Sequence, residues 1–124
     1  MSSENKIKVI QPSGLLDRTQ ASGFNEQVNK CIEQNPKIVL INFNDVIFMD
    51  SSGLGAVVLA IKNVQSNNKE IYVCSLNNQL KMLFELSGLN KVIEIFEDRE
   101  SFEKKKGAIQ DDKGTIDREK LEKK

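Results

Sequence analysis

The chain has 124 residues, 39% of them hydrophobic, and its 18 basic and 18 acidic side chains leave no formal net charge. That length supports one domain with one core, and the balanced charge gives no general attraction to nucleic acid or to an anionic membrane surface. Histidine is absent, which removes histidine triads, histidine acid–base catalysis and the commonest zinc ligand together.

Residues 1–6 carry no apolar signal-peptide core, and no apolar run approaches the about 18 residues of a membrane span. The expected location is the cytoplasm, with no membrane partner. Ile7-Lys8-Val9-Ile10 reads as a short alternating strand, ended by Pro12 and Gly14. Leu15-Leu16 follows as a second short strand. Asp17 or Thr19 can cap a helix running to about Gln34, with Phe24, Val28, Cys31 and Ile32 as its buried stripe. Asn35-Pro36 stops it. Ile38-Val39-Leu40-Ile41-Asn42-Phe43 is nearly continuous apolar and β-branched, the pattern of a central strand covered on both faces.

Val46-Ile47-Phe48-Met49 is an apolar approach to Asp50-Ser51-Ser52-Gly53-Leu54-Gly55. There the pattern changes to an amphipathic helix, with Leu54, Val57, Val58, Ile61 and Val64 on one face. Ile71-Tyr72-Val73-Cys74 is the next buried strand. Asn77 or Asn78 opens a third helix, with Leu80, Leu83 and Phe84 inward and Gly88 as its left-handed stop. Met82 and Leu86 lie off that stripe; partial burial would account for them, and a partner contact is the alternative. Val92-Ile93-Glu94-Ile95-Phe96 suits a last strand near the sheet edge. Asp98 or Ser101 caps a fourth helix carrying Phe102. Cys31 and Cys74 sit inside apolar patterns and are expected buried and reduced.

Strands alternating with helices predict an α/β single domain, with a mostly parallel sheet of about four to five strands and about four helices. The domain is expected over residues 1–106 and a charged, mobile tail over 107–124. Sites in such folds gather where strands end and the next helices begin, and Asp50-Ser51-Ser52 falls there. One reading is that the serines cap the helix and the glycines let it pack. The other is a switch: a helix N-terminus tolerates a phosphate, and a phosphoserine brings nearly two negative charges. On that reading Gly53 and Gly55 clear ground for a partner. A phosphate-binding loop is excluded by the missing Gly-Lys-Ser/Thr, and a nucleophile elbow by the missing Gly-x-Ser-x-Gly. A magnesium-dependent receiver site is excluded by Gln11-Pro12-Ser13 where an acidic pair would stand.

Phe48-Met49-Asp50-Ser51-Ser52-Gly53-Leu54-Gly55 resembles the signature of the STAS domain of bacterial anti-sigma factor antagonists. Gly14-Leu15-Leu16-Asp17, Ile71-Tyr72-Val73-Cys74 and Leu83-Phe84-Glu85-Leu86-Ser87-Gly88-Leu89 resemble further family segments in the same order. The resemblance covers about residues 6–105. It implies a STAS-like fold and a binding protein that is not an enzyme and needs no cofactor of its own. It further implies partner switching: the unmodified protein binds a serine-kinase anti-sigma factor, the kinase phosphorylates Ser51, and a metal-dependent serine phosphatase resets it. Asp17, Asp50, Ser52, Gly53, Leu54 and Gly55 fall on the implied partner surface. The alternative is a STAS scaffold whose serines only cap a helix.

Overall fold

The computed structural model describes residues 6–109 and the short strand Thr115–Ile116. Strand β1 (Ile7–Ile10) leads into β2 (Ser13–Leu16), helix α1 (Arg18–Glu33), β3 (Ile38–Asn42), β4 (Asp45–Met49) and α2 (Ser51–Ser66). Then come β5 (Glu70–Cys74), α3 (Asn78–Ser87), a 3-10 turn (Leu89–Lys91), β6 (Ile95–Phe96), α4 (Arg99–Lys106) and β7 (Thr115–Ile116). The main sheet has the order β6-β5-β3-β1-β7, and every ladder in it is parallel. The apolar β3 is its central strand, as its sequence predicts, because both of its faces must be covered.

Alternation along the strands divides the interior in two. Ile10, Val39, Ile41, Ile71 and Val73 face a core closed by Phe24, Val28 and Cys31 of α1, by Val57, Ile61 and Val64 of α2, and by Leu80 and Phe84 of α3. Ile7, Val9, Ile38, Leu40, Cys74 and Phe96 face the other way, against Phe102 of α4. Each fully buried large apolar side chain contributes about 1.5–3 kcal/mol relative to exposure. Both cysteines are buried and unpaired. Burial pushes each thiol up to about 11.

The helix starts use carboxylates and an amide. Asp17 caps α1, Asn77 caps α3 and Asp98 caps α4, each accepting backbone N–H groups of the first turn. Gly88 ends α3 at φ 81°, the left-handed conformation expected of it.

Three expectations are corrected. Val46–Met49 is not merely an approach: Asp45–Met49 is a strand, paired in parallel with β2 in a separate two-stranded sheet. The last predicted strand shrinks to Ile95–Phe96, because the chain first makes the 3-10 turn and leaves Val92 58% exposed. Met82 and Leu86 are not partly buried but 58% and 78% exposed. The expected mobile tail falls largely outside the described residues; within them, Thr115–Ile116 pairs with Val9–Ile10 at the sheet edge.

Candidate functional site

The small β2–β4 sheet places the site. Its register shifts between Gly14 and Leu15 and then pairs Leu15 with Phe48 and Leu16 with Met49. Both strands stop immediately afterwards, and each is followed by an aspartate that caps a helix. Asp17 and Asp50 therefore stand side by side at the heads of α1 and α2. The Asp50 backbone N–H donates to the Leu16 carbonyl at 3.3 Å, which continues the pairing one step past the ladder.

Asp50 accepts the Gly53 N–H through Oδ1 at 2.9 Å. The first α-helical bond, from the Leu54 N–H to the Asp50 carbonyl, is also 2.9 Å. The cap of α2 is thus a carboxylate. Ser51 occupies the first helical position and is exposed, and Ser52 is half-buried. Neither hydroxyl serves as the cap, so capping does not account for the two serines. Asp17 accepts the Thr19 hydroxyl at 2.7 Å and the N–H groups of Thr19 and Gln20 at 3.0 and 3.3 Å. Those donors, the Thr19 hydroxyl first, hold its carboxyl below the usual carboxylate range.

The two motif glycines have different work. Gly53 is buried, and a Cβ there would overlap the Leu16 carbonyl oxygen and lie 2.9 Å from Met49 Cγ. Its bareness is required by the chain's own packing. Gly55 is exposed, with no heavy atom within 4 Å of an added Cβ; open ground exists at this position. Leu54 is half-buried against the core.

Gln79, which sequence reasoning missed, and Asn77, read there only as a helix opener, hold the site from the other side. The free edge of β4 is bonded by side chains from the start of α3. The Met49 N–H donates to Gln79 Oε1 at 3.0 Å, and Gln79 Nε2 donates to the Met49 carbonyl at 2.8 Å. Asn77 Nδ2 donates to the Ile47 carbonyl at 3.1 Å while its Oδ1 caps α3 at the Leu80 N–H. These amides stand in for a neighbouring strand and satisfy backbone groups that an edge strand leaves open. No periodicity marks such a residue; only the polar first turn of α3, so close after a strand, hints at it.

The small sheet that leads into the serines exposes apolar side chains. Leu15 and Phe48, paired across the small sheet, are 51% and 46% exposed, and Ile47 is 70% exposed. An exposed hydroxyl within four residues of exposed Ile47 and Phe48 suits docking better than bond-making chemistry.

The STAS domain family model matches residues 1–102. The chain is 27% identical over 97 residues to the anti-sigma-B factor antagonist of Staphylococcus aureus strain NCTC 8325 / PS 47, covering 78% of this chain and 90% of that protein. Among solved structures, the phosphorylated Bacillus cell fate determinant SpoIIAA aligns with a TM-score of 0.62 and 20% identity over 81% of this chain and 91% of that one. A sulfate transporter family protein from Wolinella succinogenes aligns with a TM-score of 0.69 and 14% identity over 77% and 80%. These structural likenesses are of fold, and the match across most of the chain is of family: the chain belongs to the STAS domain family.

Proposed function

We propose that this chain is an anti-sigma factor antagonist that works by partner switching at Ser51. In its unmodified state it binds a serine-kinase anti-sigma factor and so regulates transcription. The kinase transfers a phosphoryl group from ATP to the Ser51 hydroxyl, the complex parts, and a metal-dependent serine phosphatase removes the phosphate. The chain is then a substrate and a binding module, not an enzyme, and nucleotide and metal belong to its partners. The cytoplasm is where those partners would be met; no helix among the described residues is long and apolar enough to cross a membrane.

The observation that carries this reading is the exposed Ser51 at the head of α2, freed of capping duty by Asp50. A kinase can reach that hydroxyl without unfolding the helix. Asp17, Asp50 and Ser52 make the polar part of the docking surface around it, Gly55 leaves it open, and Leu54, Leu15 and Phe48 supply apolar area. The anti-sigma-B factor antagonist relative supports the same assignment.

Purification from the native cell, with intact-mass analysis and peptide mapping, tests it. The expected result is a phosphorylated fraction mapped to Ser51, and a kinase-fold protein retained by the Ser51→Ala form and released by the phosphorylated form. An unmodified Ser51 in every growth state, with no kinase retained, would overturn the proposal in favour of a scaffold role.

A further inference from the structure

Strands β1 and β3 of the main sheet lead through short links into β2 and β4 of the small one, and the two pairs differ in register. Ile10 pairs with Ile41 at the end of the main ladder. Continued at that offset, Ser13 would face Asn44, Leu16 would face Ile47, and Asp17 would lie beside Phe48. Instead Ser13 pairs with Asp45, and after the shift between Gly14 and Leu15, Leu15 pairs with Phe48 and Leu16 with Met49. Two one-residue advances therefore carry the Asp17 cap from beside Phe48 to beside Asp50. Register decides which residues of two strands meet, so without these advances the heads of α1 and α2 would be out of step.

A polar cluster sits where the first advance occurs. Between the last pair of the main ladder and the first pair of the small one lie Gln11 and Pro12 on one arm, but Asn42, Phe43 and Asn44 on the other. A turn takes up the extra residue. The Val46 N–H returns to the Phe43 carbonyl at 3.0 Å, and the Asn44 N–H returns to Asn42 Oδ1 at 2.9 Å. Gln11 ties this turn to the other arm. Its Nε2 donates to Asp45 Oδ2 at 2.9 Å, and its Oε1 accepts Asn42 Nδ2 at 3.4 Å. Asn44 Nδ2 donates to Asp45 Oδ1 at 3.3 Å. Gln11 and Asn42 are only 7% and 6% exposed. Apolar side chains could fill the same space without the cost of burying amides. What bonded amides add is selection of one arrangement over its neighbours.

We propose that Gln11 is a positioning residue for the Ser51 site: through Asp45 and Asn42 it holds the first register advance, and so sets Asp17 beside Asp50. It acts through the small sheet and not by contact with a partner. The inference rests on the reading of Asp17, Asp50 and Ser51 as one docking surface, and names what aligns that surface.

Amide hydrogen exchange and nuclear Overhauser contacts test this without a kinase. Gln11→Leu keeps the buried volume and removes both side-chain bonds. The backbone contact between Leu16 and Met49 should weaken. Exchange at the Asp50 amide, which donates to the Leu16 carbonyl, should quicken by about tenfold, the upper worth of one net hydrogen bond. The amides of β3 and β5 should stay protected. Gln11→Glu alone sets two carboxylates together at pH 8 and should disturb the same amide. Gln11→Glu combined with Asp45→Asn exchanges amide and carboxylate, so the bond between the two positions re-forms in the opposite sense while Asn42 and Asn44 keep their acceptors. That double variant should return to parent values, as coupled neighbours do in a double-mutant cycle. Parent-like exchange at Asp50 in Gln11→Leu, the result expected of a residue that only fills space, would overturn the assignment. So would a double variant as disturbed as Gln11→Glu, which also decides the matter if Gln11→Leu does not fold. Failure of the phospho-switch reading would look different: an intact register with Ser51 unmodified in native cells.

Discussion

The carbonyl oxygen of Leu16 fills the space that a side chain on Gly53 would need. The same oxygen accepts the Asp50 N–H, so the end of β2 is both a hydrogen-bond partner for the loop and the wall against which α2 begins. Gly53→Ala would force the helix head away from a backbone group that cannot turn aside. Overpacking of this kind costs about 1–3 kcal/mol or more. Gly55→Ala meets open space and should gain about 0.5–1 kcal/mol from reduced unfolded-state entropy. Urea denaturation of the two variants should move in opposite directions, and a Gly53→Ala protein as stable as its parent would contradict the geometry.

Capping gives a second contrast. Asp50→Ala removes the acceptor of the Gly53 N–H and should cost about 0.5–2 kcal/mol. Ser51→Ala removes an exposed hydroxyl with no capping role and should stay within about 0.5 kcal/mol of the parent. Thermal melts of both, compared with the parent, check the order. A larger loss for Ser51→Ala would show that its hydroxyl, not the Asp50 carboxylate, supports the helix.

Much of this arrangement is legible in the sequence. Continuous apolar residues located β3 at the centre, helical spacing located α1, α2 and α3, and Gly88 marked a helix end. The pairing of β2 with β4 was not legible. Periodicity reports which side of a segment is buried, not which segment lies beside it, and Val46–Met49 has exposed Ile47 and Phe48 in its middle. For the same reason the kinship of Asp17 and Asp50 appears only once Leu16 and Met49 are in register. The role of Gln79 was hidden because an amide that bonds a strand edge looks in sequence like any polar helix residue.

The cysteines should be chemically silent in the folded protein. Burial pushes both thiols up to about 11, so the reactive thiolate is scarce at neutral pH and reagent access is blocked as well. Iodoacetamide at pH 7.5 should leave both Cys31 and Cys74 unmodified in the native protein and label both in denaturant. Rapid native labelling of either would mean that the core around it opens readily.

Gln79 should matter to the site without touching the fold's core. Its amide holds both backbone groups of Met49, the residue immediately before the α2 cap. Gln79→Ala leaves the Met49 N–H and carbonyl without these partners, and each lost net hydrogen bond is worth about 0.5–1.5 kcal/mol. Hydrogen exchange should therefore quicken at Met49 and at its neighbours in β4, while the amides of β3 stay protected. Unchanged exchange at Met49 would show that the Gln79 contact does not hold the strand edge.

Phosphate on Ser51 should act at the surface and not by refolding the domain. The head of α2 offers an anion free N–H groups and a favourable dipole. The backbone that carries it is held on one side by β2 and on the other by Gln79, and the cap is made by Asp50. None of those contacts uses the Ser51 hydroxyl, so none must break to admit the phosphate. The high dielectric constant of water weakens the repulsion between the exposed dianion and the neighbouring Asp50 carboxylate, which leaves little force to drive a rearrangement. A docked partner meets a different situation. It must strip water from the dianion and bury it against groups that had faced a neutral hydroxyl, and an unmatched buried charge costs several kcal/mol. At about 1.4 kcal/mol per tenfold change in affinity, that is enough to abolish a tight complex. The modified and unmodified forms should therefore share one backbone while differing in partner affinity by orders of magnitude. Amide chemical shifts of the two forms decide the matter. Changes confined to the heads of α1 and α2 and their contacts fit local repulsion, whereas shifts spread across β3 and β5 would require a conformational switch and refute this mechanism.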